Sequence, residues 1–458
     1  MIVIKFGGTS VGDADRVANA IEIVSERRSL QPVVIVSALE GVTNDLVAAS
    51  EAACAQQAAR VREIIEAVRA RHEEVALRLV QQKSDFYEAF IRQLAKQIEE
   101  IDTILRGITL LGEITPRARD KVMAIGEKLS SVLFAYTMKM RSLAAEHVHS
   151  ERVIITNEQF GGAAPLMDET REAARAALTP LFERNIIPVM GGFIGSTKAG
   201  ATTTLGRNGS DYSAAIVAAA IGADEVQIWT DVDGLLTCDP RLVPDARVID
   251  RLSFQEAAEL AQFGAKLHPR TLEPAVEANI PVRVLNTHNP ASPGTLITRV
   301  VEAAAGPRSI ARKKNVTMVH VTSNKMLGAH GFLAQFFSIF ADLGISVDLI
   351  ATSEVSVTVT VDEKHDIDEL RTRLAKLADV ELIDNQCIIA VVGQNVMSDS
   401  RVGARVLEAL GGMPVKMISL GRSGLNLSLV VDDADADRAI QLIHRALFAA
   451  PAEATVAV

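Results

Sequence analysis

Over residues 1–300, short runs of consecutive apolar residues alternate with stretches in which apolar residues recur every three or four positions. That is the pattern of buried strands interleaved with amphipathic helices. Ile2–Phe6 predicts a strand, Gly7-Gly8 a tight turn, Asp15–Arg27 a helix and Pro32–Ser37 a second strand, together a βαβ unit with a buried parallel strand. Cys54–Arg106 contains neither Gly nor Pro, and its apolar residues fall at helical spacing, Val61, Ile64, Ile65 and Val68, then Phe90, Leu94, Ile98, Ile101 and Leu105. This predicts two amphipathic helices broken near Lys83-Ser84-Asp85. Their Glu- and Arg-rich face reads as solvated, and His72 within it as a surface residue without chemistry. Strands at Ile186–Met190, Val226–Thr230 and Val282–Asn286 alternate with helices at Asp211–Ile221 and Phe254–Ala261, which extends an α/β domain with a mainly parallel central sheet.

The pattern changes after Ala303–Arg308, a small-residue stretch that reads as a connector. Val316–Thr322, Gly331–Leu343, Ile345–Ala351, Val355–Val361 and Asp366–Leu377 then read strand, helix, strand, strand, helix. Cys387–Val392, Arg401–Leu410, Val415–Leu420, Leu425–Val431 and Asp435–Leu447 repeat the order. Each copy is too small to cover both faces of its sheet, so the two are expected side by side.

With 458 residues, 48% of them hydrophobic, the chain is long enough for two or three cored domains. Net charge is −10 and the Lys and Arg residues are scattered, which removes the electrostatic warrant for a nucleic-acid partner. Cys54, Cys238 and Cys387 are far apart and never in a C-x-x-C arrangement, so they read as reduced thiols of a cytoplasmic protein. No stretch reaches the length of uninterrupted apolar residues that a membrane span requires.

Four motifs carry candidate chemistry. Lys5-Phe6-Gly7-Gly8-Thr9-Ser10 places a cation and paired glycines at a strand-to-helix turn, where backbone N–H groups favour a phosphate. Leu205–Asp211 opens a second helix with Arg207 among glycines, and Ser210 or Asp211 reads as its N-cap. Trp229–Arg241 follows a strand. Its Asp231-Val232-Asp233-Gly234 start suggests calcium, but the later ligand positions are missing, so a ligand-binding turn is the better reading and no metal held directly by the protein is expected. Phe263-Gly264-Ala265-Lys266-Leu267-His268-Pro269 adds a second lysine for a polyphosphate, with His268 as a turn residue. No Ser-His-Asp or Cys-His grouping accompanies them. That suits a nucleophile already charged at neutral pH, such as a carboxylate, for which positioning and charge neutralisation by two lysines and magnesium suffice.

Read in order, Lys5–Val11, Val34–Leu46 with Ser37, Gly41, Val42, Thr43 and Asn44, Gly126-Glu127-Lys128-Leu129-Ser130, Gly206–Asp211, Thr230–Arg241 and Phe263–Pro269 resemble the signatures of aspartate kinases in the amino-acid kinase superfamily. The repeats resemble paired ACT domains. Met326–Leu333 and Ser346–Val355 are most similar to the lysine-sensitive, single-function class. The resemblance implies an amino-acid kinase fold over residues 1–300 with a helical insert at about 54–106, a linker at 301–314, and ACT units of βαββαβ type at 315–384 and 385–458, the last segment being a candidate to complete the first. It implies phosphorylation of the aspartate side chain by ATP with Mg2+ to 4-phospho-L-aspartate, the first step of lysine, threonine and methionine biosynthesis.

By the same resemblance, Lys5, Gly7, Gly8, Asp211 and Lys266 serve the transferring phosphoryl group. Thr230, Asp231, Leu236 and Arg241 join Lys5, Gly8 and Lys266 around the nucleotide, while Ser37, Thr43, Glu127, Arg207 and Ser210 meet aspartate. Arg207 suits its α-carboxylate and Glu127 its ammonium. Lysine is the implied feedback inhibitor, bound by Met326, Gly331, Phe332, Leu333, Asp348, Ser353 and Glu354, in a homo-oligomer joined through ACT domains. Four positions depart from the family. One apolar residue is missing between Lys266 and Leu267, Leu236 replaces a common tyrosine, Asn208 a common glycine, and Ala329 a frequent serine. The competing readings are a kinase acting on glutamate or acetylglutamate, and a non-catalytic amino-acid sensor.

Overall fold

The structure is a computed structural model describing residues 1–79, 84–263, 269–301, 306–327, 330–362, 367–396, 398–421 and 423–449. The chain forms two compact units. The first holds the described parts of Met1–Leu235, Asp250–Phe254 and Leu267–Val301, the second those of Leu236–Ile249, Gln255–Lys266 and Glu302–Val458. Among the described residues no helix is long and apolar enough to cross a membrane.

The strands of the first unit are β1 (Ile2–Phe6), β2 (Pro32–Val36), β3 (Ala145–His147), β4 (Ile155–Thr156), β5 (Ile187–Gly191), β6 (Ile194–Thr197), β7 (Thr202–Thr204), β8 (Glu225–Thr230), β9 (Arg251–Ser253), β10 (Val282–Asn286) and β11 (Thr295–Thr298). Eight make one sheet in the order β3-β5-β2-β1-β8-β10-β11-β9, and β4, β6 and β7 make a small second one. All pairings in the large sheet are parallel except β10 with β11. Every residue of β1, β2 and β5 is buried, as strands of a parallel sheet covered on both faces must be. Phe6 anchors the centre, its ring 5.9 Å from that of Phe134 and 6.3 Å from that of Trp229.

Helices α1 (Ala14–Glu26), α2 (Val42–Cys54), α3 (Ala58–Leu79), α4 (Asp85–Leu111), α5 (Pro116–Met123), α6 (Ile125–Met140), α7 (Met167–Glu183), α8 (Gly209–Ile221) and, beyond α9 (Phe254–Gln262), which falls almost wholly in the second unit, α10 (Pro269–Glu277) complete the alternation. The predicted helical pair is α3 and α4. Ser84 caps α4 by accepting from the Tyr87 N–H at 3.2 Å. The pair's apolar positions, among them Val61, Ile65, Phe90 and Leu105, join the main core. His72 joins it too, against the surface position expected: it is fully buried, its Nδ1 donates to the Val68 carbonyl at 2.7 Å, and its Nε2 has no partner among the described residues. The helical period that marked the apolar stripe did not reveal that a neutral imidazole completes it.

The second unit carries β12 (Gly306–Thr322), β13 (Val347–Thr352), β14 (Ser356–Asp362), β15 (Asp379–Gln394), β16 (Met417–Leu420) and β17 (Asn426–Asp432), with α11 (Phe332–Asp342), α12 (Ile367–Leu374), α13 (Ser400–Leu410) and α14 (Asp433–Phe448). Its sheet runs β13-β14-β12-β15-β17-β16. Residues 306–314, expected within a linker, are instead the first half of β12, and they pair with the second half of β15. The second half of β12 pairs with β14 and with the start of β15. Each long strand thus serves both repeats, and each turns at an asparagine with positive φ, Asn315 at 57° and Asn385 at 55°. So the segment that supplies an extra strand precedes the repeats, while residues 450–458, the candidate for that role, lie outside the described residues. The two repeats keep separate cores, one around Val319, Phe336, Val359 and Leu370, the other around Ile389, Val406, Leu429 and Ile440. Cys238 and Val243, from the segment Leu236–Ile249, pack into the latter.

Burial holds the His72 pKa down at about 4, against the ordinary 6.5. The unfolded chain therefore binds a proton below pH 6.5 that the native chain refuses until about 4. This part of the stability is complete above pH 6.5 and is lost as pH falls through that window, by at most about 3 kcal/mol. Urea denaturation midpoints measured from pH 7 to 4.5 should fall less steeply for His72→Phe than for the wild type.

Candidate active site

In a parallel sheet, ligands gather beyond the carboxyl ends of the strands, where neighbouring connections diverge. The chain leaves β1 toward β2 on one side, while β8 flanks it on the other. The segments following β1, β2, β5, β8 and β10 all emerge at this edge, and they carry most of the expected site residues of the first unit.

Lys5 is the last residue but one of β1, and its side chain is only 10% exposed. Its Nζ lies 2.6 Å from Asp211 Oδ1, in the first turn of α8, where the helix dipole also favours a carboxylate. A methyl group at Gly7 would come within 3.5 Å of the Lys5 ammonium, so glycine there leaves the space before it open. The Gly7 N–H donates to the Trp229 carbonyl at 3.3 Å, tying the turn after β1 to the end of β8.

A second tie joins β2 to the same helix. Ser37 Oγ donates to Ser210 Oγ at 3.0 Å, and the Ser37 carbonyl accepts from Ser130 Oγ of α6 at 2.7 Å. Gly192, after β5, lets the head of α8 approach: a Cβ there would stand 2.7 Å from Ser210 Cβ. The cap expected from Ser210 or Asp211 is not made. Asn208 holds that position at φ 54°, with no side-chain bond to the helix, a conformation that asparagine tolerates better than most residues and that suits the site where the family commonly has glycine. Arg207 is exposed just before it, and Thr43 is half-buried in the first turn of α2.

Glu127, in the first turn of α6, is 4% exposed, and its Oε2 finds no hydrogen-bond partner among the described residues. Burial pushes its pKa up to about 8, against the opposing help of the Ala38 backbone and the Lys5 charge. Thr230 Oγ1 donates to Asp231 at 3.1 Å at the end of β8. Asp233 Oδ1 accepts from Asn286 at 2.9 Å and Asn289 at 3.1 Å, so this acidic pair shapes a turn. Lys266 and its glycine-flanked loop lie outside the described residues.

Leu236 and Arg241 fall in the second unit. The Leu236 carbonyl accepts from Ser309 Oγ at 2.7 Å. Arg241 is exposed and forked onto Asp239, 2.7 Å from Nη2 to Oδ2, which holds the Asp239 carboxyl below its usual range. Among the expected effector residues, Gly331 takes a positive φ of 84° ahead of α11, whose first turn holds Phe332 and Leu333, and Met326 lies in a short 3-10 turn. Ser353 Oγ shares a 2.7 Å hydrogen bond with Ser356 Oγ, and Glu354 is exposed. Asp348 is already engaged by Lys313 Nζ at 2.7 Å, and Asp362 meets the same ammonium at 2.8 Å. Burial opposes the Lys313 charge, yet the two carboxylates hold its pKa above the ordinary value.

Sequence reading missed Ser10, Thr287 and Asp120. Ser10 Oγ reaches the Trp229 carbonyl and Thr287 Oγ1, each at 3.3 Å. Asp120 of α5 is buried and accepts from the Gly161 N–H at 3.0 Å, the Thr204 N–H at 2.9 Å and Thr204 Oγ1 at 2.8 Å, fixing the segment that leads to Arg207. Set among Arg117, Arg119 and Lys121, it carried no signal that separated it from a solvated face.

The sequence profile of the amino acid kinase family matches residues 1–286, and that of the ACT domain matches 319–368 and 389–447. Aspartokinase 3, chloroplastic, of Arabidopsis thaliana is 39% identical over 464 residues, covering 97% of this chain and 81% of that protein. Lysine-sensitive aspartokinase 3 of Escherichia coli (strain K12) is 38% identical over 462 residues, covering 98% and 99%. The crystal structure of E. coli aspartokinase III in complex with aspartate and ADP (R-state) superposes with a TM-score of 0.83 at 36% identity, over 98% of this chain and 100% of that one. The chain belongs to the amino acid kinase family and, within it, to the aspartokinases.

Breaking a buried ion pair strands a charge and costs about 3–5 kcal/mol, whereas replacing both partners by apolar groups is far milder. Asp211→Asn should lower the denaturation midpoint sharply, and Lys5→Met combined with Asp211→Leu should recover most of it while remaining inactive. Equal loss in the single and double variants would contradict the pairing.

Proposed function

We infer that this aspartokinase transfers the γ-phosphoryl group of ATP to the side-chain carboxylate of aspartate, giving 4-phospho-L-aspartate. The observation that carries the reading is the buried Lys5–Asp211 pair, set before an open glycine turn and beside the head of α8. Lys5 offers its ammonium to charge developing on the transferring group. Asp211 fixes the aim of that ammonium, and the Gly7-Gly8 turn admits the phosphate chain. Arg207 takes the α-carboxylate of aspartate in a two-bond fork, Glu127 its ammonium, and Ser37, Ser210 and Thr43 offer hydroxyls around it. Thr230 and Asp231 face the nucleotide. The acceptor is ionised at pH 7, so no side chain has to remove a proton from it. Magnesium supplies charge neutralisation.

The reading places the enzyme in the cytoplasm, at the first committed step toward lysine, threonine and methionine, with lysine as effector in the first ACT unit. The first turn of α11 suits an α-carboxylate, and Glu354 and Asp348 suit ammonium groups, although the effector would have to take Asp348 from Lys313. β13 and β16 end the strand order of that sheet and carry exposed Ile350, Ile418 and Leu420, which supports assembly with a second copy.

Aspartyl hydroxamate should form in an ATP-dependent assay with aspartate and not with glutamate. Arg207→Lys should raise the aspartate KM about tenfold and leave the ATP KM alone, because an ammonium cannot reproduce a planar fork. A change confined to the ATP KM would move Arg207 to the nucleotide.

Lysine at millimolar concentration should inhibit. Asp348→Ala should raise the lysine needed for half-inhibition about tenfold, within the usual coupling of about 1–3 kcal/mol. A response to threonine alone would reassign the effector.

A further inference from the structure

We propose that capture of the substrate ammonium drives a proton off Glu127, so that the free enzyme keeps this carboxyl neutral and only the occupied site ionises it. The inference rests on the assignment of this pocket to aspartate.

The case begins with enclosure. Glu127 is 4% exposed and one of its carboxyl oxygens has no hydrogen-bond donor among the described residues. A buried carboxylate in that state is costly unless a cation compensates it. Among the described residues, the cations on the elements packed against α6 are either already paired or, like Lys96 of α4 and Arg117 and Arg119 of α5, exposed to solvent. From β1, Lys5 is spent on Asp211 at 2.6 Å. Lys128, next along α6, turns to Glu151 at 2.6 Å. From α4 and α5, Glu100 and Lys121 bind each other at 2.7 Å, and Asp120 accepts from Gly161 and Thr204. From α1, Glu22 pairs with Arg141 at 2.7 Å, and from α2, Asp45 pairs with Arg71 at 3.1 Å. β2 and β5 contain no titratable side chain. His72 of α3 and His147 of β3 are both held neutral, each with its pKa lowered by burial to about 4.

Burial accordingly outweighs the remote Lys5 charge and pushes Glu127 up to about 8, leaving it protonated at neutral pH. An arriving ammonium supplies both things the group lacks, a donor for the orphaned oxygen and a counter-charge. The Glu127 O–H bond then breaks, the carboxylate keeps the electron pair and accepts an N–H from the substrate, and the proton passes to buffer. Because only the ionised form binds well, aspartate affinity should rise about tenfold per pH unit up to the titration point near 8 and level off above it.

Calorimetric titration of aspartate into the full chain, in buffers of different ionisation enthalpy, counts the protons. Release of about one proton at pH 7, fading toward none near pH 9, is expected from the linkage. Glu127→Gln should abolish the release at pH 7. Infrared difference spectra of the wild type, which need no variant, should show loss of a protonated-carboxyl band on adding aspartate. Binding with the same proton count at both pH values, release undiminished in Glu127→Gln, or a carboxyl band that persists would each overturn the proposal. Failure of the wild type both to bind aspartate and to form hydroxamate would instead bring down the functional reading on which it rests.

Discussion

The first unit is organised around one desolvated ion pair. An ammonium at the end of the first strand and a carboxylate in the first turn of α8 can each be buried only because the other is there. That requirement brings the head of α8 against the edge of the sheet, and the neighbouring residues accommodate it. Gly192 gives up its side chain so the helix can approach, Ser37 and Ser210 add a hydroxyl bond beside it, and Asn208 takes the positive φ that starts the helix at the right place. The glycine turn after β1 and the head of α8 are thereby fixed to one another without any ligand.

The two acidic groups assigned to ammonium partners stand in opposite electrostatic conditions. Asp348 is satisfied from within by Lys313, which Asp362 helps to hold. Glu127 is left short of both donor and counter-charge. A ligand proposed for the first would have to displace an existing partner, so its affinity would be a difference between two similar contacts. At the second an incoming ammonium would have no partner to displace, only a proton to drive off.

What the sequence made legible was local. Unbroken apolar runs announced β1, β2 and β5, and the glycines after β1 announced a turn, because burial on both faces and close backbone approach each leave a mark within a few residues. What it concealed depended on distant chain. His72 looked solvated on a charged helix because the surface that covers it is not adjacent in sequence. Asp120 looked the same, and only the hairpin ending at Thr204 gives it a purpose. Residues 306–314 looked like a connector because their partner strand follows some eighty residues later, beyond the reach of any periodicity.

The crossing of the long strands bears on how the paired repeats can be inherited. β12 and β15 each cross from one repeat to the other, turning at Asn315 and Asn385, so neither repeat owns a complete set of strands. Cutting between the repeats at the sequence boundary would leave one edge of β15 bare along residues 386–394, an open template for foreign strands. The pair can therefore be lost, gained or fused to another enzyme only as a single cassette.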